Sequence, residues 1–247
     1  MSAQSIESPS REYDEDYFAH ESGYSKMFLR GNKPFYHQRW LRELSHYQKS
    51  GRLLDMGCGM GYFAREASHR WDVLGIDISV HGIKSARKRC PRGRFEAADL
   101  LNWKPPAESF EVITCFDIVE HFENPQKVLR IAFDALSYGG VLGLTTPNPD
   151  SIGKIMKENE WFGYRDSTHV SIKKPEQWFK VLKSIGFSIE KEFYDGLWDS
   201  PYLRGWPAFL QHMRYKIPQA VLFGMGRDFP RNRGENLCLI AVKGRKQ

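Results

Sequence analysis

Short apolar runs of strand length alternate with amphipathic helical runs along most of the chain. From residue 52 onward, each strand-like run is followed by a stretch whose apolar positions repeat every three or four residues. Asn124 with Pro125 is typical of a helix start, and Gly139 with Gly140 is typical of a helix end. The predicted strands are residues 52–56, 72–77, 94–100, 111–117, 141–146, 187–194 and 236–242.

This order predicts an α/β fold. Five βα units followed by two strands indicate a doubly wound, mainly parallel seven-stranded sheet of the Rossmann-like type, with an antiparallel last strand. The ligand site of such a sheet lies along the carboxyl ends of its strands. We expect an aromatic-rich leader or cap at residues 1–50, a core at 51–195, a lid insertion at 196–234, and a last strand with a basic tail at 235–247.

Composition narrows the class of protein. The chain has 247 residues and four cysteines without C-x-x-C spacing, which argues against a disulfide framework and a zinc knuckle. Its apolar runs are far shorter than the roughly 18 residues that span a bilayer, and its start lacks a secretory pattern, so we expect a cytoplasmic protein.

The formal net charge of +6 is uneven, because residues 1–22 hold six acids against one base. The rest of the chain is therefore more basic than the total implies. That surplus suits a phosphate-bearing substrate, an anionic membrane surface or RNA, and it is equally consistent with a solubilising surface.

A glycine-rich loop follows the first predicted strand. Asp55 lies near the end of that strand, and glycines follow at alternate positions, where they permit a tight turn and close contact between a ligand and the backbone. The spacing is G-x-G-x-G, not the G-x-G-x-x-G of dinucleotide-binding folds. A pyrophosphate would be repelled by Asp55, whereas the cationic sulfonium and ammonium of S-adenosylmethionine (SAM) would be attracted. The glycines are Gly57, Gly59 and Gly61.

A second acidic residue supports the same ligand. Asp77 ends the second predicted strand, where a carboxylate can accept both hydrogen bonds of an adenosine ribose. Together the loop and this acid resemble the D-x-G-x-G-x-G loop and acidic second-strand end of class I SAM-dependent methyltransferases. The resemblance extends from about residue 51 to residue 186. It implies a methyltransferase that uses SAM as its cofactor.

The resemblance also implies roles for further residues around the cofactor. Ile78 would pack on the adenine, and Asp99 with Leu100 would hold the adenine edge. Phe116 would line the methionine end of the site. Arg39, in the leader, would bind the methionine carboxylate, as a leader arginine does in some relatives.

Another polar group follows the fourth predicted strand. Asp117, Glu120 and His121 fall in a short turn at the catalytic edge of the sheet. His169 lies in a later loop that can fold over the same face. Ubiquinone-biosynthesis O-methyltransferases and small-RNA 3′-terminal 2′-O-methyltransferases look similar here, with an acid-x-x-Glu-His turn, and the RNA enzymes add a later histidine. Asp117 stands where these relatives usually carry glutamate.

Three roles are open for this polar group. In the first, Glu120, His121 and His169 are catalytic, with a histidine taking the proton of an acceptor hydroxyl. In the second, the same three residues and Asp117 bind one divalent ion that lowers the pKa of a bound hydroxyl. In the third, they make structural hydrogen bonds only. We favour the histidine base and expect no metal.

The lid insertion between the last two predicted strands combines many apolar residues with six Lys or Arg and two Asp. An insertion at this place can cover an acceptor pocket, and an apolar surface with a basic rim suits a large lipid-like or phosphorylated acceptor. A packed lid or a dimer contact is the alternative.

These observations predict an O-methyltransferase that acts on a small or lipid-linked hydroxylated acceptor, such as a polyprenylated phenol or a glycan precursor, with peripheral contact to an anionic membrane. One alternative is a metal-dependent 2′-O-methyltransferase acting on RNA. The sequence shows no separate RNA-binding module that would support this alternative. Another is a SAM-binding protein without catalysis, against which Glu120, His121 and His169 argue.

Overall fold

A single seven-stranded sheet organises the chain. In this computed structural model, which describes residues 34–244, the strand order is β3-β2-β1-β4-β5-β7-β6. Strands β1 to β5 pair in parallel, and β7 is antiparallel to both β5 and β6. This confirms the doubly wound sheet and the antiparallel last strand. The strands are β1 Arg52–Met56, β2 Asp72–Asp77, β3 Arg94–Ala97, β4 Phe110–Phe116, β5 Leu136–Pro147, β6 Phe187–Tyr194 and β7 Asn236–Lys243.

Helices cover both faces of the sheet. On one face α4 and α7 pack with a hydrophobic cluster, and on the other α1, α2 and α3 pack with a second cluster. Neighbouring residues of β1 show why both faces are buried, since Leu54 belongs to the first cluster and Leu53 to the second. The helices are α1 Pro34–Tyr47, α2 Tyr62–Ala67, α3 Val80–Arg89, α4 Pro125–Ala135, α5 Ile152–Lys157, α6 Phe162–Arg165, α7 Pro175–Ile185, α8 Ala208–Gln211 and α9 Ile217–Gly224.

Two predicted boundaries are wrong. The third strand ends at Ala97, so Asp99 and Leu100 lie in the loop that follows it. The fifth strand begins at Leu136, directly after α4, and not after the glycine pair. Gly139 is nevertheless in the left-handed region, with φ of 75°, and the ladder between β4 and β5 shifts register between Phe110 and Val112. The glycines therefore accommodate an irregular strand start instead of ending a helix.

The described part of the leader packs firmly on the sheet. Trp40 and Leu44 of α1 are fully buried in the second cluster. A Cβ atom at Gly143 of β5 would lie 3.0 Å from the Trp40 ring and 3.1 Å from Leu44, so the glycine lets α1 approach the strand closely. The aromatic leader residues before position 34 lie outside the described residues.

The lid insertion contains α8, a π-helical turn His212–Lys216 and α9, which follow one another without a break. Pro218 explains the irregular turn, because proline lacks the N–H that would continue the α-helical hydrogen bonding. Phe223 of α9 is buried against Phe193 of β6, with ring centroids 6.0 Å apart. No helix among residues 34–244 is long and apolar enough to cross a membrane.

Candidate functional site

The glycine loop joins the carboxyl ends of three strands. Gly57 has a φ of 77°, which favours glycine, and its N–H donates to the Ile76 carbonyl of β2 at 2.8 Å. A Cβ atom at Gly57 would lie 2.8 Å from the side chain of Ile118, in the turn after β4. The loop is thus tightly packed between the end of β2 and the turn that carries Glu120 and His121.

Asp55 is a buried carboxylate at the foot of this loop. It is only 3% exposed and accepts one hydrogen bond, from Thr114 Oγ1 at 2.7 Å. The pKa of the Asp55 carboxyl is raised to about 7, mainly by burial and also by the nearby charge of Asp77, against the lowering effect of the Thr114 hydrogen bond. A cation near this group would favour its ionised form, so the site fits the sulfonium and ammonium of SAM.

Asp77, at the end of β2, holds the glycine loop through both of its carboxylate oxygens. One carboxylate oxygen accepts the Gly59 N–H at 2.7 Å, and the other accepts the Ser79 N–H at 2.8 Å. Burial raises the pKa of the Asp77 carboxyl, while these two N–H groups lower it. Each oxygen keeps a second lone pair, so the residue is able to accept two ribose hydroxyls while it orders the loop.

The residues assigned to the adenine lie beyond the ends of β2 and β3. Ile78 is half-buried directly after Asp77. Leu100 is buried in the core, and Asp99 accepts the Leu101 N–H at 2.9 Å and the Asn102 side-chain amide at 2.6 Å. Asp99 therefore orders its own loop, and its contact with the adenine edge stays a prediction.

An aromatic group surrounds Phe116 at the end of β4. The Phe116 ring centroid lies 4.6 Å from that of Trp40 and 4.9 Å from that of Phe63, and Tyr36 lies 6.4 Å away. Burial raises the pKa of the Tyr36 phenol, and the charges of Cys238 and Asp117 raise it further. The leader thus contributes Tyr36 to the surroundings of Phe116, a contribution that the sequence did not indicate.

Arg39 occupies a different environment from the one expected for a carboxylate ligand. Its guanidinium pairs with Glu43 at 2.8 Å and with Asp228 of the lid insertion. The same group lies 5.0 Å from the Phe193 ring centroid and 5.4 Å from that of Phe223. Arg39 therefore joins α1 to the insertion, and its role at the methionine carboxylate stays a prediction.

Asp117 turns the chain sharply after β4. It has a φ of 51°, which is uncommon for a residue other than glycine. Its N–H donates to Thr145 Oγ1 at 3.0 Å, and its carboxylate accepts from the same hydroxyl at 2.7 Å. Backbone strain held by two neighbouring strands is common at functional sites. Here it directs the chain into the turn of Glu120 and His121.

Glu120, His121 and His169 converge. One ligand atom from each, a carboxylate oxygen or a ring nitrogen, lies within 4.8 Å of the other two, and Asp117 is not part of this group. The backbone explains the convergence, because the Val170 and Ser171 N–H groups donate to the Glu120 carbonyl at 3.0 and 2.9 Å. The loop before α7 is thereby fixed to the turn after β4. We call these three residues the Glu-His-His group.

The Glu120 carboxylate lies in an environment that is energetically unfavourable for a charged group. It is fully buried, and neither carboxylate oxygen has a hydrogen-bond partner among the described residues, although Thr146 lies nearby. Burial raises the pKa of the Glu120 carboxyl well above its ordinary value, and the charge of Asp117 adds to the rise. An unpartnered buried carboxylate is stabilised by a proton, a cation or a bound hydroxyl.

His121 is oriented by a chain of hydrogen bonds. Its Nδ1 lies 2.8 Å from Thr168 Oγ1, and that hydroxyl donates to Asp166. Thr168 therefore accepts from His121 Nδ1–H, which places the lone pair on Nε2. Burial lowers the pKa of the His121 imidazole to about 4, and the charge of His169 lowers it too, against the opposite effect of Asp166. His121 is neutral at pH 7.

His169 has the matching tautomer. Its Nδ1 lies 2.9 Å from the Gly163 carbonyl oxygen, which can only accept, so Nδ1 carries the proton. Its Nε2 lies 3.7 Å from Asp166, and its ring meets that of His121 edge to face at 4.7 Å between centroids. Because Nδ1 is the protonated nitrogen in both rings, Nε2 is the nitrogen of each imidazole that can bind a proton or a metal ion.

The whole arrangement matches a known family. A model of the methyltransferase domain matches residues 30–192, about two thirds of the chain, including the glycine loop and the Glu-His-His group. The chain belongs to the methyltransferase domain family. SAM is its cofactor, as the sequence predicted, and the acidic residues of the glycine loop fit that cation.

Curated relatives agree on the class and differ in the acceptor. The chain is 30% identical over 103 residues to a trans-aconitate 2-methyltransferase of Variovorax paradoxus, a match that spans 40% of each chain. It is 31% identical over 107 residues to a ubiquinone biosynthesis O-methyltransferase of Psychrobacter cryohalolentis, over 39% of this chain and 41% of that one. The chain therefore matches less than half the length of these methyltransferases.

Solved structures share the fold over nearly the whole chain. A SAM-dependent methyltransferase of Archaeoglobus fulgidus superposes with a TM-score of 0.65 and 20% identity, over 93% of this chain and all of that one. A SAM-dependent methyltransferase of Mesorhizobium loti gives a TM-score of 0.58 at 20% identity, over 83% of this chain and 97% of that one. These likenesses support the methyltransferase fold.

Two residues of this methyltransferase site were missed by sequence reasoning. Asp166 and Thr168 position His121, but no role was predicted for either residue. The hydrogen bonds of Thr168 lower the pKa of the Asp166 carboxyl, as does the charge of His169, although burial raises it. Asp-x-Thr is a local turn signal, since the Thr168 N–H donates to Asp166 at 3.0 Å, and it could have been recognised as such.

Proposed function

We propose that this chain transfers the methyl group of SAM to an oxygen atom of a small or lipid-linked hydroxylated acceptor. The cofactor supplies an electrophilic methyl group on a cationic sulfur. The residues of the chain must then hold the acceptor near the cofactor and take up its proton. The Glu-His-His group supports this proposal, because it brings a carboxyl group and two imidazoles together at the sheet edge that carries the glycine loop.

His121 is the proposed base. Its Nδ1 proton is held by Thr168, so Nε2 is the nitrogen that accepts the hydroxyl proton. Asp166 stabilises the resulting imidazolium through Thr168, since its carboxylate accepts a hydrogen bond from the Thr168 hydroxyl. Protonated Glu120 is able to donate a hydrogen bond to an acceptor oxygen. His169 lines the same space, so it is the alternative base.

A second candidate places a divalent ion between the same three residues. The observation that favours it is the Glu120 carboxylate, which is buried without a hydrogen-bond partner among residues 34–244 and lies within ligand distance of two imidazoles. A carboxylate with two neutral histidines is a donor set that suits several divalent metals. In that case Glu120, His121 and His169 would hold the ion, which would lower the pKa of an acceptor hydroxyl.

Turnover of methyl-labelled SAM against an acceptor panel tests the proposal. The panel contains hydroxylated quinone precursors, sugar nucleotides, carboxylic acids including trans-aconitate, and short RNAs. We expect methylation of a hydroxylated small molecule, lost in His121→Asn and kept in the control His69→Asn. His69 is exposed and lies outside the Glu-His-His group.

Each other result has its own meaning. Methylation of RNA alone would support the metal-dependent RNA alternative. Methylation of a carboxylic acid alone would show that the acceptor group is a carboxylate and not a hydroxyl. SAM binding without turnover on any acceptor would support the non-catalytic alternative.

A further inference from the structure

An uncovered apolar surface lies on the lid insertion. Trp206 is 62% exposed and Phe209 is 65% exposed, although side chains of this size are normally covered. Phe209 and Met213 are four residues apart and so lie on one side of the helical segment. We name the apolar tip after its exposed members, which are Leu203, Trp206, Phe209, Leu210 and Met213.

The fold holds this surface outward. Gln211, next to Leu210, is buried, and its side-chain oxygen accepts the N–H groups of Tyr202 and Leu203 at 2.7 and 2.8 Å. Its amide donates to the carbonyls of Leu203 and Trp206 at 2.8 and 3.0 Å. The polar side chain of Gln211 is thus buried with all of these hydrogen bonds formed, while its apolar neighbours are exposed to solvent. The exposure is a property of the folded chain, not of a loose loop.

The exposed charges beside the tip are basic. Arg204 and Arg214 are exposed and make no ion pair within the part of the chain that the structure describes. Arg227, at the end of the insertion, is likewise exposed and makes no ion pair within residues 34–244. Arg204 and Arg214, each next in sequence to a member of the apolar tip, are therefore available to an anion.

The acids of the insertion are paired with bases of the folded core. Asp199 is buried and binds Lys157 at 2.8 Å and Arg165 at 2.9 Å. Asp228 binds Arg39, as described above. The insertion contains no other acid, so its outward charge is positive.

We propose that the apolar tip inserts into the surface of an anionic lipid bilayer, with Arg204 and Arg214 against the headgroup phosphates. Aromatic and aliphatic side chains beside arginines have the composition of segments that lie in the membrane interface, where tryptophan is also enriched. A second copy of the chain is a poorer occupant, because a two-fold contact through the tip would bring like charges together. The inference goes beyond the proposed function and does not depend on the acceptor.

Vesicle binding by the full chain tests this surface. We expect sedimentation with vesicles of equal parts phosphatidylglycerol and phosphatidylcholine, and little with phosphatidylcholine alone. Trp206→Ser combined with Phe209→Ser should weaken binding at least about tenfold, since two large apolar side chains lose their burial. Arg204→Glu combined with Arg214→Glu should weaken it at least about 25-fold, at roughly fivefold for each lost positive charge.

A matched control separates local from general charge. Lys180→Glu with Lys183→Glu makes the same charge change at exposed positions of α7 and should leave vesicle binding within about threefold, because these residues belong to α7 and not to the insertion. Calorimetric SAM binding checks that every variant is folded.

A second measurement uses the parent protein with brominated lipids in anionic vesicles. Bromines quench tryptophan on contact, so the quenching should fall in Trp206→Phe if Trp206 enters the bilayer. Failure of the parent to bind anionic vesicles, or equal binding and quenching by the tip variants, would overturn the proposal. So would a dimeric parent that becomes monomeric when Trp206 and Phe209 are replaced, since the tip would then bind a second copy.

Discussion

The His121 and His169 rings meet edge to face, with centroids 4.7 Å apart, although one residue follows β4 and the other precedes α7. The contact depends on the Glu120 carbonyl, which accepts two N–H groups from the residues that follow His169. Each imidazole is further oriented through its Nδ1. The geometry is therefore built by the protein itself, and both histidines are positioned before an acceptor binds.

His121→Asn should reduce turnover between about 10²- and 10⁴-fold, the usual contribution of a general base, without changing the affinity for SAM. The reason is that His121 hydrogen-bonds to Thr168, whereas the glycine loop is ordered by Asp77. Single-turnover kinetics and SAM calorimetry measure the two effects. If His121 is the base, His169→Asn should reduce turnover less than His121→Asn does. A larger reduction in His169→Asn would make His169 the base.

The pH dependence of turnover should reflect the lowered pKa of His121. Because burial lowers that pKa to about 4, the neutral base is present at all pH values well above 4, and the rate should show no step near 6.5. The unfolded chain binds this proton near pH 6.5, so the free energy of unfolding should fall as pH decreases from about 6.5 toward 4. Initial rates and denaturant titrations check both. A rate that falls with an apparent pKa near 6.5 would contradict the His121 assignment.

A divalent ion in the Glu-His-His group would give a different pH profile. Metal binding requires ionised Glu120, whose pKa is raised by burial, so binding should release protons and weaken as pH falls. With a histidine base, EDTA should leave turnover unchanged. Calorimetry with Mn²⁺ or Zn²⁺ in two buffers of different ionisation enthalpy measures the released protons. The metal mechanism would replace the histidine base if EDTA abolished turnover and added metal restored it. In that case added metal should not restore turnover in Glu120→Gln.

Asp77→Ala should weaken SAM binding at least about 100-fold, because it removes two charged acceptors for the ribose. The structure adds a second reason, since the same carboxylate orders the glycine loop through the Gly59 and Ser79 N–H groups. Asp77→Asn is the matched control and should lose less, because it keeps one oxygen. Isothermal calorimetry with SAM and with NAD decides the matter. Equal SAM affinity of the alanine variant, or tighter NAD binding by the parent, would contradict the assigned site.

Tyr202→Phe should lower the free energy of unfolding by about 1–3 kcal/mol, because it leaves a buried acceptor with one partner fewer. Tyr202 donates its hydroxyl to Glu235, which is fully buried and also accepts the Trp161 Nε1–H at 2.7 Å. This cluster joins the lid insertion to the start of β7. Urea titration measures the loss, with the exposed Tyr164→Phe as control. An unchanged unfolding midpoint would show that Glu235 does not hold the insertion.

Local sequence patterns were sufficient to predict the sheet, the glycine loop and the class of cofactor. Strand and helix periodicity, together with the glycine spacing after Asp55, involve residues that are close in sequence, so their consequences can be read locally. The boundaries of β3 and β5 were wrong because they were also predicted from local patterns alone. Strand ends depend on the partner strand, and the register shift beside Phe110 is not visible in a single run of residues.

The sequence by itself determined the doubly wound fold, the SAM cofactor and the candidates Glu120, His121 and His169. The tertiary structure alone decided that these three meet, because the contact requires the loop before α7 to bind the Glu120 carbonyl. It also decided the tautomers of both histidines and the burial that shifts the pKa of Glu120 upward and that of His121 downward. Burial and long-range hydrogen bonds arise from the packing of distant segments, which no local pattern specifies.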